Sequence, residues 1–433
     1  MKKPLLFSNE QSRRRFVSLA AKSFLGLSIL PWASPLSSQA AGLGLNRPLN
    51  QAPKAKNVIY LYMSGGMSHL DTLDPKPSTE ASGPTTAIRT KADGVQLANN
   101  LPLLANHTDK IALIRGMTST KGAHQQGNYF MHTSYAQRAT IVHPSMGAWV
   151  TKLDGRFNPT LPGAVVVGGG SRHPLSGFLP TSHQPLAVGN PSEGLRNCER
   201  LWGMTNEKFS DGLSLSQKLD HSFLQKYNFD KVNAYSDMYD DAVQLMKSHD
   251  LQAFDLKEET ASTRDAYGED NFGQGVLLAR RLVERQVRFV EVQLGGWDTH
   301  QNNFTRVQER SAILDQALSA LLDDLYKRGL LEETLVVLAT EFGRTPNINV
   351  NEGRDHYPKA FSCMLAGGGI QGGQVWGETD REGREVSDQK VEIPDLNATI
   401  AYALGLPLDQ IVYSPTRRPF TLSDKGQPLV KLI

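Results

Sequence analysis

Cysteine is scarce in this chain, because only two of the 433 residues, Cys198 and Cys363, are of this type. Two cysteines form one disulfide at most, so the chain is not a disulfide-rich scaffold. Cys363 lies in the apolar run FSCML of residues 361–365, and we expect both cysteines to be buried thiols. The fold must then depend on a hydrophobic core, for which 39% hydrophobic residues are sufficient.

The chain also lacks a concentrated cationic surface of the kind that binds nucleic acid. Its net charge is +2, but residues 1–40 contain six cations and one anion, so the remainder has a net charge of −3. We therefore expect no nucleic-acid binding. No glycine-rich segment has the spacing and context of a nucleotide phosphate loop, so neither NAD nor ATP is inferred.

The chain also lacks a hydrophobic run long enough to span a membrane. Its longest apolar stretch, residues 16–30, belongs to a targeting sequence. It follows a cationic start and precedes the small-residue tail SSQAA at residues 37–41, while SRRRFV at residues 12–17 matches the twin-arginine export signature. We predict a twin-arginine signal peptide over residues 1–40, recognised by the twin-arginine export machinery and cleaved after Ala40. The mature chain would be periplasmic or secreted and would have no transmembrane segment. An uncleaved anchor is the alternative.

Apolar runs and helical patterns alternate through the rest of the chain, which predicts one α/β domain over residues 41–433. The helical periodicity is clear at residues 276–283 and 313–325, and the polar stretch at residues 213–249 predicts a helical insertion. Because most of the apolar runs are continuous, we expect strands buried on both faces of a mainly parallel sheet. Six runs have this character: residues 58–63, 111–114, 164–167, 288–294, 335–339 and 361–365.

Carboxylates, imidazoles and glycines stand at the ends of these predicted strands. The first strand leads into SGGMSHLD at residues 64–71, the fourth into GGWDTH at 295–300 and the fifth into TEFGR at 340–344, while GRDH at 353–356 precedes the sixth. Ligands of parallel sheets bind beyond the carboxyl ends of the strands. Asp, Glu and His from several loops are typical of a catalytic divalent-metal site with an open coordination position.

The strongest candidate metal ligands are Asp298, His300, Glu341 and His356. Each has an ordinary alternative when taken singly, since Asp298 could form a turn, Glu341 could cap a helix and His356 could be a core histidine. Four such residues at the strand ends of one sheet nevertheless predict a metal site.

Four segments resemble a secreted bacterial family of unknown function that has a twin-arginine signal and belongs to the alkaline phosphatase and sulfatase superfamily. The resemblance covers nearly all of the mature chain. It implies an alkaline phosphatase-like α/β fold, with a mixed, mainly parallel sheet sandwiched by helices and divalent metals at the strand ends. It also implies hydrolysis of phosphate or sulfate esters. The segments are YMSGGMSHLDTLDPKP at residues 62–77, GWDTH at 296–300, EFGRTP at 341–346 and GRDH at 353–356.

The same resemblance implies which residues bind metal. Asp298, His300 and His356 correspond to ligands of a first metal, while Glu341 corresponds to a ligand of a second metal or acts as a base. Phe342 stands where the partner histidine of the second metal would be. Zinc or manganese is the expected metal, with calcium as an alternative.

The loop after the first strand departs from the superfamily pattern. An aspartate is usual there, and this chain has Ser64. His69, Asp71 or Asp74 is the predicted replacement from the following loop. Without it the second metal site would be degraded.

Candidates for the attacking group are less well defined. No Cys-X-Pro-Ser-Arg motif is present, which disfavours an ordinary sulfatase. His124 stands near the expected place of the nucleophile, before a helix, and could act as nucleophile, acid or base. Thr118 offers an alternative hydroxyl, and Arg344, beside the predicted ligands, could bind an anionic ester.

The sequence therefore predicts an exported metal-dependent hydrolase that acts on a small anionic ester, either a phosphate or a sulfate. The alternative is a non-catalytic, metal-stabilised binding or assembly protein on the same fold. The oligomeric state is not predicted.

Overall fold

The central sheet of this protein is made from the apolar runs seen in the sequence. The structure, a computed structural model, describes residues 53–169, 172–195, 198, 205, 207–209, 211–215 and 240–433. The predicted signal peptide and most of the predicted helical insertion at residues 213–249 lie outside the described residues. Residues 49–433 form one compact unit.

All six predicted strands are present, and the sheet has nine strands in the described residues. The strands are β1 (Asn57–Met63), β2 (Ile111–Thr118), β3 (Ala164–Val167), β4 (Leu186–Val188), β5 (Phe289–Leu294), β6 (Thr334–Ala339), β7 (Phe361–Ala366), β8 (Gln374–Trp376) and β9 (Val391–Glu392). Their order across the sheet is β8-β2-β7-β6-β1-β5-β3-β4, and β9 pairs with β2.

The sheet is parallel except at β7, which is antiparallel to both β2 and β6. Strands β5 and β6 flank β1 in parallel, so the three end at the same edge. Because β7 runs the other way, its first residue lies at that edge. The segment that precedes β7 therefore meets the segments that follow β1, β5 and β6.

Helices cover both faces of the sheet, as the predicted α/β class requires. The helices are α1 (His124–Thr133), α2 (Met146–Asp154), α3 (Ala261–Tyr267), α4 (Asn271–Glu284), α5 (Asn303–Lys327) and α6 (Ile393–Ala403). Side chains of β1 alternate between the faces: Ile59 and Leu61 belong to the core that includes α4 and α5, while Tyr60 and Tyr62 belong to the core that includes α1, α2 and α6. The predicted α/β class is thus confirmed, with a mixed, mainly parallel sheet between helices.

Short elements connect these layers. Two-stranded pairings join Ala87–Arg89 to Gln96–Ala98, Gly343–Arg344 to His356–Tyr357, Glu378–Thr379 to Val386–Asp388 and Val412–Tyr413 to Pro419–Phe420. Short 3-10 helices occupy Glu80–Ser82, Leu104–Lys110, Thr181–His183, Pro191–Glu193, His249–Phe254, Leu256–Glu258 and Val430–Leu432.

The cysteine prediction holds for one residue and is wrong for the other. Both cysteines are thiols, and Cys363 is buried in β7, where burial raises its pKa to about 12. Cys198 is only half-buried. Among the described residues, every helix is too short or too polar to span a bilayer.

Candidate metal centre

Four segments deliver polar side chains to the edge where β1, β5 and β6 end. Asp298 and His300 follow β5, Glu341 follows β6, His356 precedes β7, and His124 is the first residue of α1. The antiparallel pairing of His356 with Arg344 brings the loop after β6 beside the segment before β7. The sheet topology therefore assembles these residues from distant parts of the chain.

Three imidazoles converge on the carboxylate of Asp298. The Nε2 atoms of His300 and His356 lie 3.1 Å and 3.3 Å from Asp298 Oδ1. His124 Nε2 lies 3.2 Å from the other oxygen, Oδ2. His300 and His356 also meet each other, with their Nε2 atoms 3.0 Å apart. Asp298, His300 and His356, predicted as ligands of one metal, are thus brought together.

The opposite nitrogen of each ring faces an oxygen that can only accept a hydrogen bond. Nδ1 donates to Glu341 Oε1 at 2.8 Å in His124, to Asp355 Oδ1 at 2.6 Å in His300 and to the Gly122 carbonyl at 2.8 Å in His356. A neutral ring with hydrogen on Nδ1 has a lone pair on Nε2. Imidazoles that bind metals are oriented by outer acceptors in this way, so the residues fit a divalent metal.

Two further properties support this fit. Ligand atoms of His124, Asp298 and His356 all lie within 4.8 Å of one another. Burial lowers the pKa of His356, which favours the neutral ring that a metal requires.

Arg344 holds Asp298 in place. It is fully buried and donates to Asp298 Oδ1 at 2.6 Å, to the Gly66 carbonyl at 2.9 Å and to the carbonyls of Gly65 and Arg354. Burial opposes ionisation of Asp298, but the hydrogen bond and positive charge of Arg344, together with His124 and His356, outweigh burial and keep the pKa of this carboxyl well below its ordinary value. Arg344 was predicted to bind an ester, but the structure places its guanidinium against Asp298 and backbone carbonyls.

Glu341 lies behind His124 rather than among the converging Nε2 atoms. Its buried carboxylate accepts hydrogen bonds from His124 Nδ1, from the Gly65 N–H at 2.9 Å and from the Tyr62 hydroxyl at 3.1 Å. Burial would raise the pKa of Glu341, but the hydrogen bond from His124, the charge of His124 and the hydrogen bonds from backbone N–H groups together outweigh burial, so the pKa is lowered. The same hydrogen bond raises the pKa of His124. Glu341, predicted to bind a second metal, is therefore placed to orient His124.

Phe342 forms an apolar wall of the centre. Its buried ring lies 5.1 Å from the His124 ring and 4.7 Å from the His356 ring, measured between centroids. In the sequence, Phe342 stands where the superfamily resemblance would have a histidine ligand of a second metal. In the structure, its ring packs against the rings of His124 and His356.

Asp71 and His69, the predicted replacements in the loop after β1, have other partners. Asp71 is buried and forms an ion pair with Arg354 at 2.8 Å, and it also accepts from Ser68 and Thr85. His69 is buried and donates from Nε2 to the Gly383 carbonyl at 2.9 Å. Among the described residues, neither contacts Asp298 or His124. The structure does not bring them to the predicted second metal.

Thr118, the alternative nucleophile, also lies outside the cluster. It ends β2 and is opposite Glu392 of β9 in the sheet. In the sheet order, β7 separates β2 from β6, the strand that leads to Glu341. Of the two predicted attacking groups, only His124 contacts Asp298.

Two glycines explain why the loops can approach so closely. Gly65 has φ +120°, and a Cβ there would lie 2.6 Å from the backbone nitrogen of Asp298. At Gly353 a Cβ would lie 1.8 Å from the carbonyl oxygen of His300. No other residue type fits either position without displacing a loop that carries a site residue.

A cavity of about 360 Å³ opens beside His124 and Asp298. It is lined by several side chains that the sequence analysis missed: Asn128, Arg172, His173 and Gln293. Asn128 follows His124 by four residues and lies on the same face of α1, a spacing that could have indicated it. Arg172 had no comparable sequence signal.

A second cluster of His132, His173 and Glu291 lies next to this cavity and was also missed. Glu291 Oε1 is 3.0 Å from His132 Nε2, and Oε2 is 3.3 Å from His173 Nε2. The ligand atoms of these residues lie within 4.8 Å of one another, so they form a second candidate metal group. The signal in the sequence was Glu291 itself, a carboxylate inside an otherwise apolar strand, where an unpaired charge is very costly.

Hydrogen-bond partners distinguish this second cluster from the first. His173 Nδ1 accepts from the Leu175 N–H at 3.1 Å, so its Nε2 has a hydrogen to donate to Glu291. His132 Nδ1 donates to the Asn128 carbonyl at 2.8 Å, and its Nε2 faces the carboxylate. His132 is oriented like the imidazoles at Asp298, but its pKa is raised by the Glu291 carboxylate despite burial, which favours an ion pair between the two. His173 differs from the imidazoles at Asp298, because its Nε2 has a hydrogen where a metal would need a lone pair.

The chain belongs to the family described as Protein of unknown function (DUF1501), whose model matches residues 55–433. The predicted membership of a family of unknown function is thus confirmed. Among curated proteins, none matches this chain.

Solved structures similar to this chain include members of the alkaline phosphatase and sulfatase classes. The lipoteichoic acid synthase LtaP from Listeria monocytogenes is 10% identical with a TM-score of 0.40, covering 84% of this chain and 75% of its own. The PsFucS1 sulfatase from Pseudoalteromonas sp. is 12% identical with a TM-score of 0.39, covering 97% and 77%. The alkaline phosphatase from the Antarctic bacterium TAB5 is 14% identical with a TM-score of 0.32, covering 74% and 93%.

Proposed function

We propose that this chain is an exported metal-dependent hydrolase of phosphate or sulfate esters. The observation that supports this proposal is the common orientation of His124, His300 and His356. Each ring has Nδ1 on an oxygen acceptor and Nε2 directed at the Asp298 carboxylate. Three imidazole nitrogens and one carboxylate at the end of a parallel sheet suit a catalytic metal and a bound ester.

Asp298, His300 and His356 would hold the metal. Imidazole nitrogen and carboxylate oxygen together favour zinc or manganese, whereas calcium prefers an all-oxygen site. When bound, the metal would stabilise negative charge on the ester oxygens. Arg344 keeps Asp298 ionised and aligned, and Asp355 and the Gly122 carbonyl keep both imidazoles in the tautomer that can coordinate.

His124 would act as the base. Its Nδ1–H is fixed on Glu341, so Nε2 is the nitrogen that accepts a proton. Nε2 takes a proton from water as the water oxygen bonds to phosphorus or sulfur, and the P–O or S–O bond to the alcohol oxygen breaks. The proton then passes to the leaving oxygen, so that one water and one ester give the free acid anion and an alcohol.

Hydrolysis assays with matched variants test this proposal. Metal-replete protein is offered 4-nitrophenyl phosphate, a phosphodiester and an aryl sulfate. We expect turnover of at least one ester, and we expect Asp298→Asn to abolish it together with metal binding. Removing a general base costs about 100- to 10,000-fold in rate, so His124→Gln should lower kcat by this amount while metal content is unchanged.

His249→Gln is the control, because His249 is an exposed histidine that neither lines the cavity beside His124 nor belongs to either candidate metal group. It should leave kcat and metal content unchanged. Failure of the metal-replete wild type to hydrolyse any ester of the panel would overturn the hydrolase proposal.

The second candidate function is a metal-stabilised binding or assembly protein without catalysis. Phe342 favours it, because a buried aromatic ring occupies the side of the centre where the superfamily pattern has a second-metal ligand. A bound metal without turnover, and a lower melting temperature after chelation, would support this candidate.

Export is the remaining part of the proposal. The twin-arginine motif at residues 12–17 supports passage of the folded, metal-loaded protein to the periplasm or beyond by the twin-arginine machinery. Fractionation of cells that express wild type and Arg14→Lys/Arg15→Lys tests this point. We expect the wild type in the periplasmic fraction and the variant in the cytoplasm.

A further inference from the structure

Three arginines in or beside the cavity of the metal centre lack a carboxylate partner among the described residues. Arg172 is exposed and lines the cavity, and its side chain has no hydrogen bond or ion pair with any described residue. Arg306 and Arg310 are half-buried residues of α5. The Arg306 guanidinium donates only to backbone carbonyls, and that of Arg310 has no described hydrogen-bond partner.

Gly296 brings the two α5 arginines to the cavity. This glycine is exposed and lines the cavity. Arg306 donates to its carbonyl at 3.4 Å and to the Asp298 carbonyl at 2.9 Å. A Cβ at Gly296 would lie 3.1 Å from Cδ and 3.6 Å from Nε of Arg310. Only the backbone of this glycine therefore separates the two guanidinium groups from the cavity, and a group that leaves the cavity across Gly296 meets both.

The two α5 arginines are one helical turn apart, so they lie on the same face of the helix. Like charges at this spacing repel each other. Glu309 is exposed on the same helix, but it forms no ion pair with Arg306 or Arg310 among the described residues. The pair thus keeps a positive charge that an anion from solvent can neutralise.

Arginines deeper in the centre are neutralised within the protein. Arg344 pairs with the Asp298 carboxylate, and Arg354 pairs with Asp71. The three unpaired arginines differ from these in being open to a ligand. A guanidinium group presents a planar fork of donors that matches two oxygens of a phosphate, sulfate or carboxylate, and clustered charge of one sign raises the local concentration of a counter-ion.

The position of these arginines suits a second anionic group rather than the reacting ester. In the proposed hydrolase the reacting group lies at the metal, between Asp298 and His124, where the metal neutralises it. Arg306 and Arg310 are separated from that place by the backbone of Gly296. A second anion on the same substrate, several bonds from the reacting ester, can reach them, and Arg172 adds positive charge to the cavity wall.

From these contacts we infer that the site takes esters that carry a second anionic group, such as bisphosphates or multiply sulfated saccharides. Arg172, Arg306 and Arg310 bind this second group. The inference rests on the proposed hydrolase function and adds the substrate class. It assigns to the arginines a contact with the substrate and no part in the chemical step.

Matched esters of three diols test the inference. Each pair consists of the bisphosphate and the monophosphate of 1,2-ethanediol, 1,4-butanediol or 1,6-hexanediol, and the corresponding sulfates form a second series. The members of a pair differ only in the second anionic group, and the three chain lengths vary its distance from the reacting ester. Hydrogen bonds to charged groups are strong. We therefore expect the wild type to prefer the doubly charged ester of at least one diol by about 10- to 100-fold in kcat/KM, after allowance for its two equivalent ester groups.

Arg172→Gln/Arg310→Gln should remove most of this preference. Neither side chain has a described hydrogen bond to lose, so the fold should be retained, which thermal denaturation checks. Arg310→Gln alone should lower the preference, and Arg310→Lys, which keeps the charge, should retain part of it. Arg417→Gln/Arg418→Gln is the matched control, because it also removes two positive charges, from exposed arginines that neither line the cavity nor contact Gly296. The control should keep the wild-type preference.

Equal kcat/KM values within every pair in the wild type would overturn the inference while leaving the hydrolase proposal intact. A preference that persists in Arg172→Gln/Arg310→Gln, or that is lost to the same extent in the control, would also overturn it.

If no ester is hydrolysed, the hydrolase proposal fails and the arginine subsite is tested by binding alone. Isothermal titration of the metal-loaded protein with the same pairs of esters then decides. Tighter binding of a bisphosphate or bis-sulfate than of its singly charged partner, lost in Arg172→Gln/Arg310→Gln, would support the subsite. Equal binding within every pair, or no binding, would overturn it.

Discussion

His300 and His356 face each other through Nε2 atoms that are 3.0 Å apart, while the Nδ1 atom of each donates to an oxygen acceptor. In two neutral rings of this kind, both Nε2 atoms present lone pairs to the same space. Lone pairs repel each other, and the Asp298 oxygen beside them adds further negative potential. A cation relieves this repulsion, which is the physical basis of the proposed metal centre.

Asp355 should therefore affect metal binding without touching the metal. It is the acceptor for His300 Nδ1 at 2.6 Å. Loss of such an outer partner weakens metal affinity by about 10- to 100-fold. We expect this loss in Asp355→Asn, measured by competition with a chromophoric chelator. Asp93→Asn, at another exposed aspartate, should have wild-type affinity. An unchanged affinity in Asp355→Asn would show that the His300 tautomer does not matter for binding.

Glu341→Gln should separate catalysis from metal binding. An amide group that donates to His124 Nδ1 would move the hydrogen of the imidazole to Nε2, where the ring could no longer accept a proton. We expect kcat to fall by roughly 100-fold or more, while the metal content stays that of the wild type. Glu269→Gln, an exposed control, should have no effect. Loss of metal in Glu341→Gln would instead support the sequence prediction that Glu341 is a ligand.

Much of this centre could be predicted from the sequence, and the reasons are specific. Asp298, His300 and His356 were identified because each stands beside a run apolar enough to be a buried strand, and because such strands end at a common edge. The order of the strands was not needed for that step. The antiparallel direction of β7 was not predicted, although it explains why a segment preceding a strand reaches the same edge.

The residues that were placed differently depend on which atom a side chain contacts, and sequence does not specify this. Glu341 and Arg344 were identified as site residues. The sequence could not show that Glu341 contacts Nδ1 of His124. Nor could it show that the Arg344 guanidinium donates its hydrogen bonds to Asp298 and to backbone carbonyls. Asp71 lies in the segment SGGMSHLD, which suggested a metal ligand, but its side chain pairs with Arg354, 283 residues away along the chain. Long-range pairings of this kind follow only from the fold.

The buried pair of His132 and Glu291 should make stability depend on pH. Burial alone would lower the pKa of His132, but the Glu291 carboxylate outweighs burial and raises it. Burial would raise the pKa of Glu291, but His132 and His173 outweigh it and lower it. The protonated His132 ring stabilises the folded protein fully below the histidine pKa of the unfolded chain, about 6.5, and this stabilisation is lost as pH rises through the pKa of His132 in the folded protein. The ionised Glu291 carboxylate stabilises the folded protein above the glutamate pKa of the unfolded chain, about 4.3, and this stabilisation is lost as pH falls through the pKa of Glu291 in the folded protein.

The stabilising effect of the pair is thus largest between about pH 4.3 and pH 6.5. We expect the melting temperature of the wild type to exceed that of His132→Gln/Glu291→Gln by more at pH 5.5 than at pH 9. Glu291→Gln alone should cost about 3–5 kcal/mol, because it leaves a buried charge unpaired. Lys56→Gln/Glu333→Gln, which removes an exposed ion pair, is the control. A melting difference that does not change with pH would contradict the charged pair.

Gly65→Ala should disrupt the centre through the backbone. The new Cβ would lie 2.6 Å from the Asp298 nitrogen at a φ of +120°, so the loop after β1 or the loop after β5 must move. We expect metal affinity to fall at least about tenfold, since 1 Å displacements of ligands weaken such sites. Gly94→Ala is a matched control, because Gly94 also has positive φ, +76°, but has no atom within 4 Å of the new Cβ. Equal metal affinity in both variants would contradict the role of Gly65.

The central claim is that Asp298, His300 and His356 bind a divalent metal, and elemental analysis of the purified protein tests it most directly. Protein isolated without added metal is compared with Asp298→Asn, His356→Gln and the control His249→Gln. We predict about one equivalent of zinc or manganese in the wild type and the control, and none in the two ligand variants. A wild type without metal that also takes up none on titration, or ligand variants that keep the full metal content, would contradict the account.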